Sequence, residues 1–160
     1  MFAMARSRVW LEIEELYRSR LSVFVRVARA VTGEREMALE AVQDGFADAL
    51  RHAGDWDGRG ALEAWVWRCV VNRARKAARA RPRLVFPAAS KGADESGTDE
   101  LRARIAELPE RQRLVVFLRY FADLDYREIS EVLGVQVGTV SATLHAAHLT
   151  LRNALEEVSA

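Results

Sequence analysis

Residues 124–155 read LDYREISEVLGVQVGTVSATLHAAHLTLRNAL and predict two helices joined by a tight turn. Asp125 and Glu128 have the Asp-x-x-Glu spacing of a capping box, which predicts a short helix over Tyr126–Leu133. Gly134 ends this helix, because glycine adopts the left-handed conformation at little cost. Two helices around such a turn commonly place the second helix in a DNA major groove.

The second helix of this pair is predicted from about Gly138 onward. Its apolar residues recur at intervals of three and four and form one inward stripe. The stripe comprises Val140, Leu144, Ala147, Leu151 and Leu155. No Lys or Arg lies between Arg127 and Arg152. Since basic side chains supply most of the attraction to phosphates, the pattern predicts a helix-turn-helix that binds DNA weakly.

The remainder of the chain is predicted to be helical, because its apolar residues follow the helical period and no segment alternates like a β-strand. Three helices are expected at about Trp10–Val31, Glu36–His52 and Ala61–Arg81. The stretch 82–98 has two prolines followed by Ser, Gly and acidic residues, as a linker does. The predicted fold is therefore all-α, with two small helical domains, 10–81 and 99–160, joined by a flexible linker at 82–98.

Composition limits the class of protein. Half of the 160 residues are hydrophobic, and the single cysteine, Cys69, permits no intrachain disulfide. No apolar run approaches the roughly 18 residues of a membrane span, so we expect a cytoplasmic protein without membrane insertion. The net charge of +1 is unevenly distributed: residues 1–81 carry +4, and the rest is acidic.

A basic segment follows the second predicted helix. No acidic residue lies between Glu63 and Asp94, and this interval holds six of the chain's basic residues before Pro82. They are Arg68, Arg73, Arg75, Lys76, Arg79 and Arg81. The preceding glycine-rich loop contributes Trp56 and Arg59, and basic residues beside aromatic rings suit single-stranded nucleic acid. We expect Trp65 in the core, whereas Trp56 fits either a core or a stacking role.

Several motifs resemble the bacterial sigma-70 family, and in particular its small extracytoplasmic-function (ECF) group. ALEAVQDGF at 38–46, WDGRG at 56–60 and AWVWRCVVNR at 64–73 are similar to the promoter-melting domain of that group. LPERQR at 108–113, LRY at 118–120, DYREI at 125–129 and LGVQVGTV at 133–140 are similar to its second domain. Both sets occur in the family's order and span most of the chain outside the linker.

The resemblance implies a transcription initiation factor without catalytic activity or cofactor. Its partners would be core RNA polymerase, through the β′ clamp helices and the β flap, promoter DNA, and an anti-sigma factor. Core binding would involve Glu40, Gln43 and Asp44. Contacts to the minus-ten element would involve Trp56, Arg59, Arg68, Asn72, Arg73, Arg75 and Lys76. Contacts to the minus-thirty-five element would involve Thr139, Ser141, Thr143 and His145.

Departures from the family pattern affect both interfaces. Leu39 stands where relatives usually have an acidic residue in the clamp-binding helix. Relatives also commonly have basic residues at the positions of Ser141, Thr143, Ala146 and His148. We therefore expect weaker minus-thirty-five binding than in typical relatives, because phosphate contacts are lost. Each lost contact also reduces the slope of log K for DNA binding against log salt concentration by about 0.9.

Two other functions are compatible with the sequence. One is a regulator whose N-terminal helices sense a signal and whose helix-turn-helix reads an operator as a dimer. Against it, the N-terminal half is basic and has no evident ligand pocket. The other is a sigma-like protein that binds polymerase but recognises promoters poorly, as the uncharged recognition helix suggests. A metal site is not predicted, because His145 and His148 have no evident third ligand.

Overall fold

The computed structural model describes residues 2–81 and 96–159, with side chains described for 7–81 and 100–157. The described residues form helices and no strands. The helices are α1 (Phe2–Thr32), α2 (Arg35–Arg51), α3 (Leu62–Ala80), α4 (Ser96–Glu107), α5 (Glu110–Tyr120), α6 (Tyr126–Leu133) and α7 (Val137–Ser159). None of these helices has the length and apolarity needed to cross a membrane. The all-α prediction is confirmed.

Helices α1–α3 pack around a cluster of aromatic rings. The Trp67 ring is fully buried and stacks on Phe24, with ring centroids 3.8 Å apart. Phe46 from α2 packs edge-on against Phe24, with a centroid distance of 4.8 Å. The Trp67 Nε1 donates to Glu63 (3.3 Å), and Arg20 of α1 forms an ion pair with the same carboxylate. The three helices are therefore joined by both apolar and polar contacts.

The prediction that Trp65 belongs to the core holds only in part, because Trp65 packs against the core but is half-buried at its edge. The buried face of α3 instead runs through Val66, Trp67 and Val70. Trp65 and Trp67 are about 200° apart around a helix, so both cannot point inward. Phe24 of α1 stacks on Trp67, and this contact determines which of the two tryptophan rings is buried.

The backbones of α2 and α3 approach each other closely at Gly45. A Cβ atom at this position would lie 2.6 Å from the Cα of Val70, so a larger side chain would force the helices apart. The short distance brings the polar face of α2 and the basic face of α3 close together on the molecule.

The helix-turn-helix has the predicted local structure. Asp125 accepts from the Glu128 N–H (2.8 Å) and Glu128 accepts from the Asp125 N–H (2.8 Å), which confirms the capping box. Helix α6 ends at Gly134, which has the expected left-handed conformation (φ 65°). Val140 and Leu144 of α7 are buried, as the apolar stripe predicts.

Helix bounds differ from the sequence prediction mainly at α1 and α4. Helix α1 begins at Phe2 instead of Trp10, and α4 begins at Ser96, within the predicted linker. The remainder of that linker, 82–95, lies outside the described residues. Amphipathic periodicity identifies the packed part of a helix but not the turns that extend beyond its partners.

The helix-turn-helix half packs directly against α1–α3. Arg113 of α5 is 5% exposed and donates to the carbonyl of Ala30 in the last turn of α1 (Nε–O 2.7 Å). This carbonyl is among those that a helix C-terminus leaves without an intrahelical partner, and the helix dipole favours a cation there. Arg20 also donates to the carbonyl of Ala122 (2.8 Å), and the Arg26 guanidinium lies 5.1 Å from the Phe121 ring centroid.

Candidate nucleic-acid and polymerase interfaces

A continuous stripe of exposed polar side chains runs along one face of α3. It comprises Arg68, Asn72, Lys76 and Arg79. Their spacings of four, four and three residues keep them on one face of the helix. Val66, Val70 and Ala74 are buried on the opposite face and anchor the helix against α1 and α2. We call these four exposed residues the α3 stripe.

The loop between α2 and α3 continues the α3 stripe at its N-terminal end. Gly58 and Gly60 have positive φ angles of 78° and 70°, which give the loop its tight path. Asp57 accepts from the Arg59 backbone N–H (2.9 Å) and also pairs with the Arg59 guanidinium (3.5 Å), which remains largely exposed. Trp56 is half-buried, and its buried Nε1 has no hydrogen-bond partner among the described residues. The loop thus offers an aromatic ring beside an exposed arginine that pairs with Asp57.

Arg73 and Arg75 lie outside the α3 stripe and make ion pairs within the protein. Arg73 binds Asp48 of α2 through two nitrogens, one of them at 2.8 Å. The hydrogen bond from Arg73 holds the pKa of Asp48 below its usual range, in spite of partial burial. Arg75 binds Glu110 of α5 at 3.0 Å. Both side chains are partly buried, so their cationic groups are less accessible than those of the α3 stripe.

The Asp48–Arg73 pair predicts a pH-dependent contribution to stability. Because the pKa of Asp48 is lowered on folding, the stabilisation is present above the unfolded value of 3.8 and is lost as the pH falls through the folded value. Asp48→Asn should lower the free energy of unfolding by about 1–2 kcal/mol at pH 7. The difference between wild type and variant should shrink at pH 3, as measured by urea denaturation. An equal difference at both pH values would contradict this assignment.

The exposed face of α2 presents the residues predicted to bind core polymerase. Glu40, Gln43 and Asp44 are all exposed and lie within one helical turn. Ala41 and Val42 are buried against the core, so this face has a fixed orientation. Leu39, which departs from the family pattern, is half-buried at the edge of the face.

Helix α7 separates the four residues predicted to contact the minus-thirty-five element into two groups. Ser141 and His145 are exposed on one face. Thr139 and Thr143 are half-buried, and the Thr143 hydroxyl donates to the Thr139 carbonyl (2.7 Å). The exposed face of α7 is uncharged at its N-terminal end. His148, the histidine that follows His145 along the helix, is hydrogen-bonded to the Tyr120 hydroxyl (2.8 Å).

Comparison with protein families identifies both halves of the chain. Residues 16–84 match the model of sigma-70 region 2, and residues 98–151 match the model of sigma-70 region 4. The RNA polymerase sigma-E factor of Streptomyces avermitilis is 31% identical, over 96% of this chain and 89% of that protein. The chain belongs to the sigma-70 family. It is an ECF-group sigma factor that binds core RNA polymerase and directs it to promoters.

Other relatives and solved structures agree with this identification. The sigma factor YlaC of Bacillus subtilis is 27% identical over 88% of this sigma factor and 90% of that protein. CnrH, solved in complex with the cytosolic domain of CnrY, superposes with a TM-score of 0.72 at 21% identity over 98% of this chain and 95% of that chain. RpoE of Bartonella quintana, solved with the anti-sigma factor NepR, gives a TM-score of 0.74 at 17% identity. The match covers 89% of this chain and 98% of that chain. At these identities the two structures support the fold.

Arg79 belongs to the α3 stripe; the sequence placed it in the basic segment but not among the residues expected to contact the minus-ten element. One feature of the interfaces was not among the sequence predictions. Asp48 fixes Arg73 across two helices, and a pairing between residues 25 positions apart has no local sequence signal.

Proposed function

We propose that this sigma factor captures the non-template strand of the minus-ten element on the α3 stripe and the loop before it. The exposed alignment of Arg68, Asn72 and Lys76 beside Trp56 and Arg59 is the observation that carries the proposal. Cations spaced along a helix follow the phosphates, and a base stacked on an aromatic ring adds about 1–3 kcal/mol. Arg73 and Arg75 contribute differently: Arg73 holds α3 against α2, and Arg75 becomes available to phosphates when its pair with Glu110 opens.

The mechanism we propose involves no bond-making by the sigma factor. Extruding a base from the duplex costs a few kcal/mol, and a loop pocket with phosphate contacts offsets that cost. Strand capture therefore drives local melting, while the polymerase supplies the catalysis. The chain acts in this scheme as a non-enzymatic, cofactor-free factor in the cytoplasm, where bacterial DNA is transcribed.

We assign core polymerase binding to residues 10–81 and upstream DNA binding to residues 99–160, with 82–98 between them. The exposed α2 face of Glu40, Gln43 and Asp44 is suited to the β′ clamp helices, because it is polar and rigidly anchored. Region 4 would contact the β flap and the minus-thirty-five element. An anti-sigma factor is a further partner that we propose, since the similar CnrH and RpoE structures were solved with protein partners.

The uncharged face of α7 predicts that upstream DNA contributes little affinity. Adding two cations, with Ser141→Lys and His145→Lys, should strengthen nuclease protection of the minus-thirty-five region by about tenfold at moderate salt. Both positions are exposed, so the substitutions should leave the fold unchanged. The control is Thr150→Lys, which lies further along the same helix; unchanged protection in the double variant would contradict the prediction.

Two assays with core RNA polymerase test the proposed function. A pull-down should retain the wild-type chain on core enzyme, and run-off transcription should yield promoter-specific RNA. Glu40→Lys with Asp44→Lys should reduce core binding about tenfold or more, because charge reversal in an interface costs several kcal/mol. The control Glu157→Lys, exposed near the end of α7, should bind core normally.

Other outcomes of these assays favour the other functions. Core binding without transcripts would indicate a polymerase-interaction protein. Absence of core binding by the wild type would indicate a separate helix-turn-helix regulator. Either result would contradict the proposed function.

A further inference from the structure

The exposed side of α7 continues beyond the residues that the sequence predicted to contact the minus-thirty-five element. Four exposed residues with spacings of four, three and four lie along this side of the helix. They are Ser141, His145, His148 and Arg152, and we call them the histidine face. Leu144 is buried on the opposite side of the helix. The packing of α7 therefore holds the histidine face toward solvent.

The permanent charges around the histidine face nearly cancel. Arg152 and Glu156 line the same groove of about 760 Å³ as the two histidines. At the end of α5, the neighbouring Arg119 pairs with Asp123 (3.7 Å). The described residues that line the groove all belong to α7, so α4 and α6 add none of their described side chains to it. The protonation of the two histidines therefore determines the net charge of this face.

Tyr120 of α5 contacts one of these histidines directly. The Tyr120 hydroxyl lies 2.8 Å from the His148 Nε2, and the two ring centroids are 5.8 Å apart. The Arg119 guanidinium lies on the Tyr120 ring, 6.0 Å from its centroid. A charged histidine has two N–H donors, and a tyrosine hydroxyl can accept from one of them. When His148 is charged, its Nε2–H donates to Tyr120, and its Nδ1–H is left for a phosphate oxygen.

We propose that region 4 contacts the phosphates of upstream duplex DNA through charged His145 and His148, with Tyr120 as the residue that positions His148. This inference rests on the proposed function, because it specifies how region 4 contacts the minus-thirty-five DNA. Histidine gains its positive charge between about pH 8 and pH 5, and a charged donor bonds phosphate more strongly than a neutral one. Phosphate binding favours the charged ring, so the affinity for upstream DNA rises as the pH falls.

Duplex binding by the full-length chain at pH 6.0 and pH 8.0, at constant ionic strength, tests this inference. The probe is a fluorescein-labelled mixed-sequence duplex of about 25 base pairs, which spans two helical turns, and binding is followed by fluorescence anisotropy. Wild type should bind about tenfold more tightly at pH 6.0, because two ring charges are gained. His145→Gln with His148→Gln should reduce this ratio to about twofold or less. His52→Gln, which removes the third histidine of the chain, should keep the full ratio.

The positioning role of Tyr120 has a separate test. Tyr120→Phe removes the hydroxyl that accepts from His148, and should reduce the ratio of affinities at the two pH values from about tenfold to about threefold. The side chain is 57% exposed, so the Tm should stay the same. Tyr126→Phe removes a hydroxyl from another exposed tyrosine of region 4 and should keep the full ratio. Equal ratios for Tyr120→Phe and wild type would overturn the role of Tyr120.

Run-off transcription with the same preparation separates this inference from the proposed function. Promoter-specific transcripts, combined with duplex affinities that are equal at the two pH values, would overturn the inference alone. Absence of duplex binding at pH 6.0 would also overturn it, as would a tenfold ratio that persists in His145→Gln with His148→Gln. Failure to bind core polymerase, combined with a pH dependence that requires the two histidines, would overturn the proposed function and support the phosphate contact.

Discussion

Replacing Arg68 and Lys76 together with glutamate should reduce run-off transcription by about 100-fold at physiological salt, because two phosphate contacts are converted into repulsions. Both side chains are exposed members of the α3 stripe, and neither forms an ion pair with the side chains that the structure describes. Binding to core polymerase should be unchanged, since the residues proposed to bind core lie on α2 and neither Arg68 nor Lys76 is among them. Transcription and core pull-down on the same preparation measure the two effects.

The control for this variant is Arg8→Glu with Arg18→Glu, which makes the same charge change on the outer face of α1. Among the described side chains, both arginines form exposed pairs within α1, and such pairs contribute little to stability. The control should keep transcription within about twofold of wild type. Equal losses in the two double variants would show that net charge, and not the α3 stripe, determines activity.

Trp67→Ala should destabilise the protein by about 3–5 kcal/mol, which is typical of a large aromatic removed from a packed core. The ring is fully buried and stacked on Phe24, and its Nε1 donates to Glu63. For a domain of this size the loss corresponds to a decrease in Tm of about 10 °C or more, measured by circular dichroism.

Trp65→Ala is the matched control, because it removes the same side chain from a half-buried position two residues away. It should cost no more than about 2 kcal/mol. If Trp65→Ala proved as destabilising as Trp67→Ala, the assignment of the buried face of α3 would be wrong.

Features governed by neighbouring residues could be predicted from the sequence. The capping box at Asp125 and the left-handed Gly134 depend on a few consecutive residues, and both are confirmed. The inward stripe of α7 follows from helical period alone, and Val140 and Leu144 are buried as expected. Local chemistry and periodicity are sufficient for these elements.

Features that depend on distant partners could not be predicted in the same way. The choice between Trp65 and Trp67 as the core tryptophan depends on Phe24 of another helix. One contact that packs region 4 on region 2 is made by the buried guanidinium of Arg113, which is 83 residues from Ala30. No repeating pattern marks such a contact, because one side chain and one carbonyl are enough to make it.

The helix-turn-helix identifies the family of this protein, but its charge distribution does not indicate a high affinity for DNA. Its fold matches region 4 of the sigma-70 family, but its exposed α7 face has no cation before Arg152. The cations that we propose to contact DNA lie on α3 and in the loop before it, in region 2. Promoter selection by this sigma factor should therefore depend more on the melted minus-ten strand than on the upstream duplex.

In vitro transcription of a randomised promoter library tests this central claim most directly. Core polymerase with the wild-type chain transcribes a DNA pool randomised over both promoter elements, and sequencing of the transcripts identifies the active promoters. The account predicts strong base preferences at the minus-ten element and weak ones at the minus-thirty-five element. Strong upstream preferences combined with an unselective minus-ten element would contradict it.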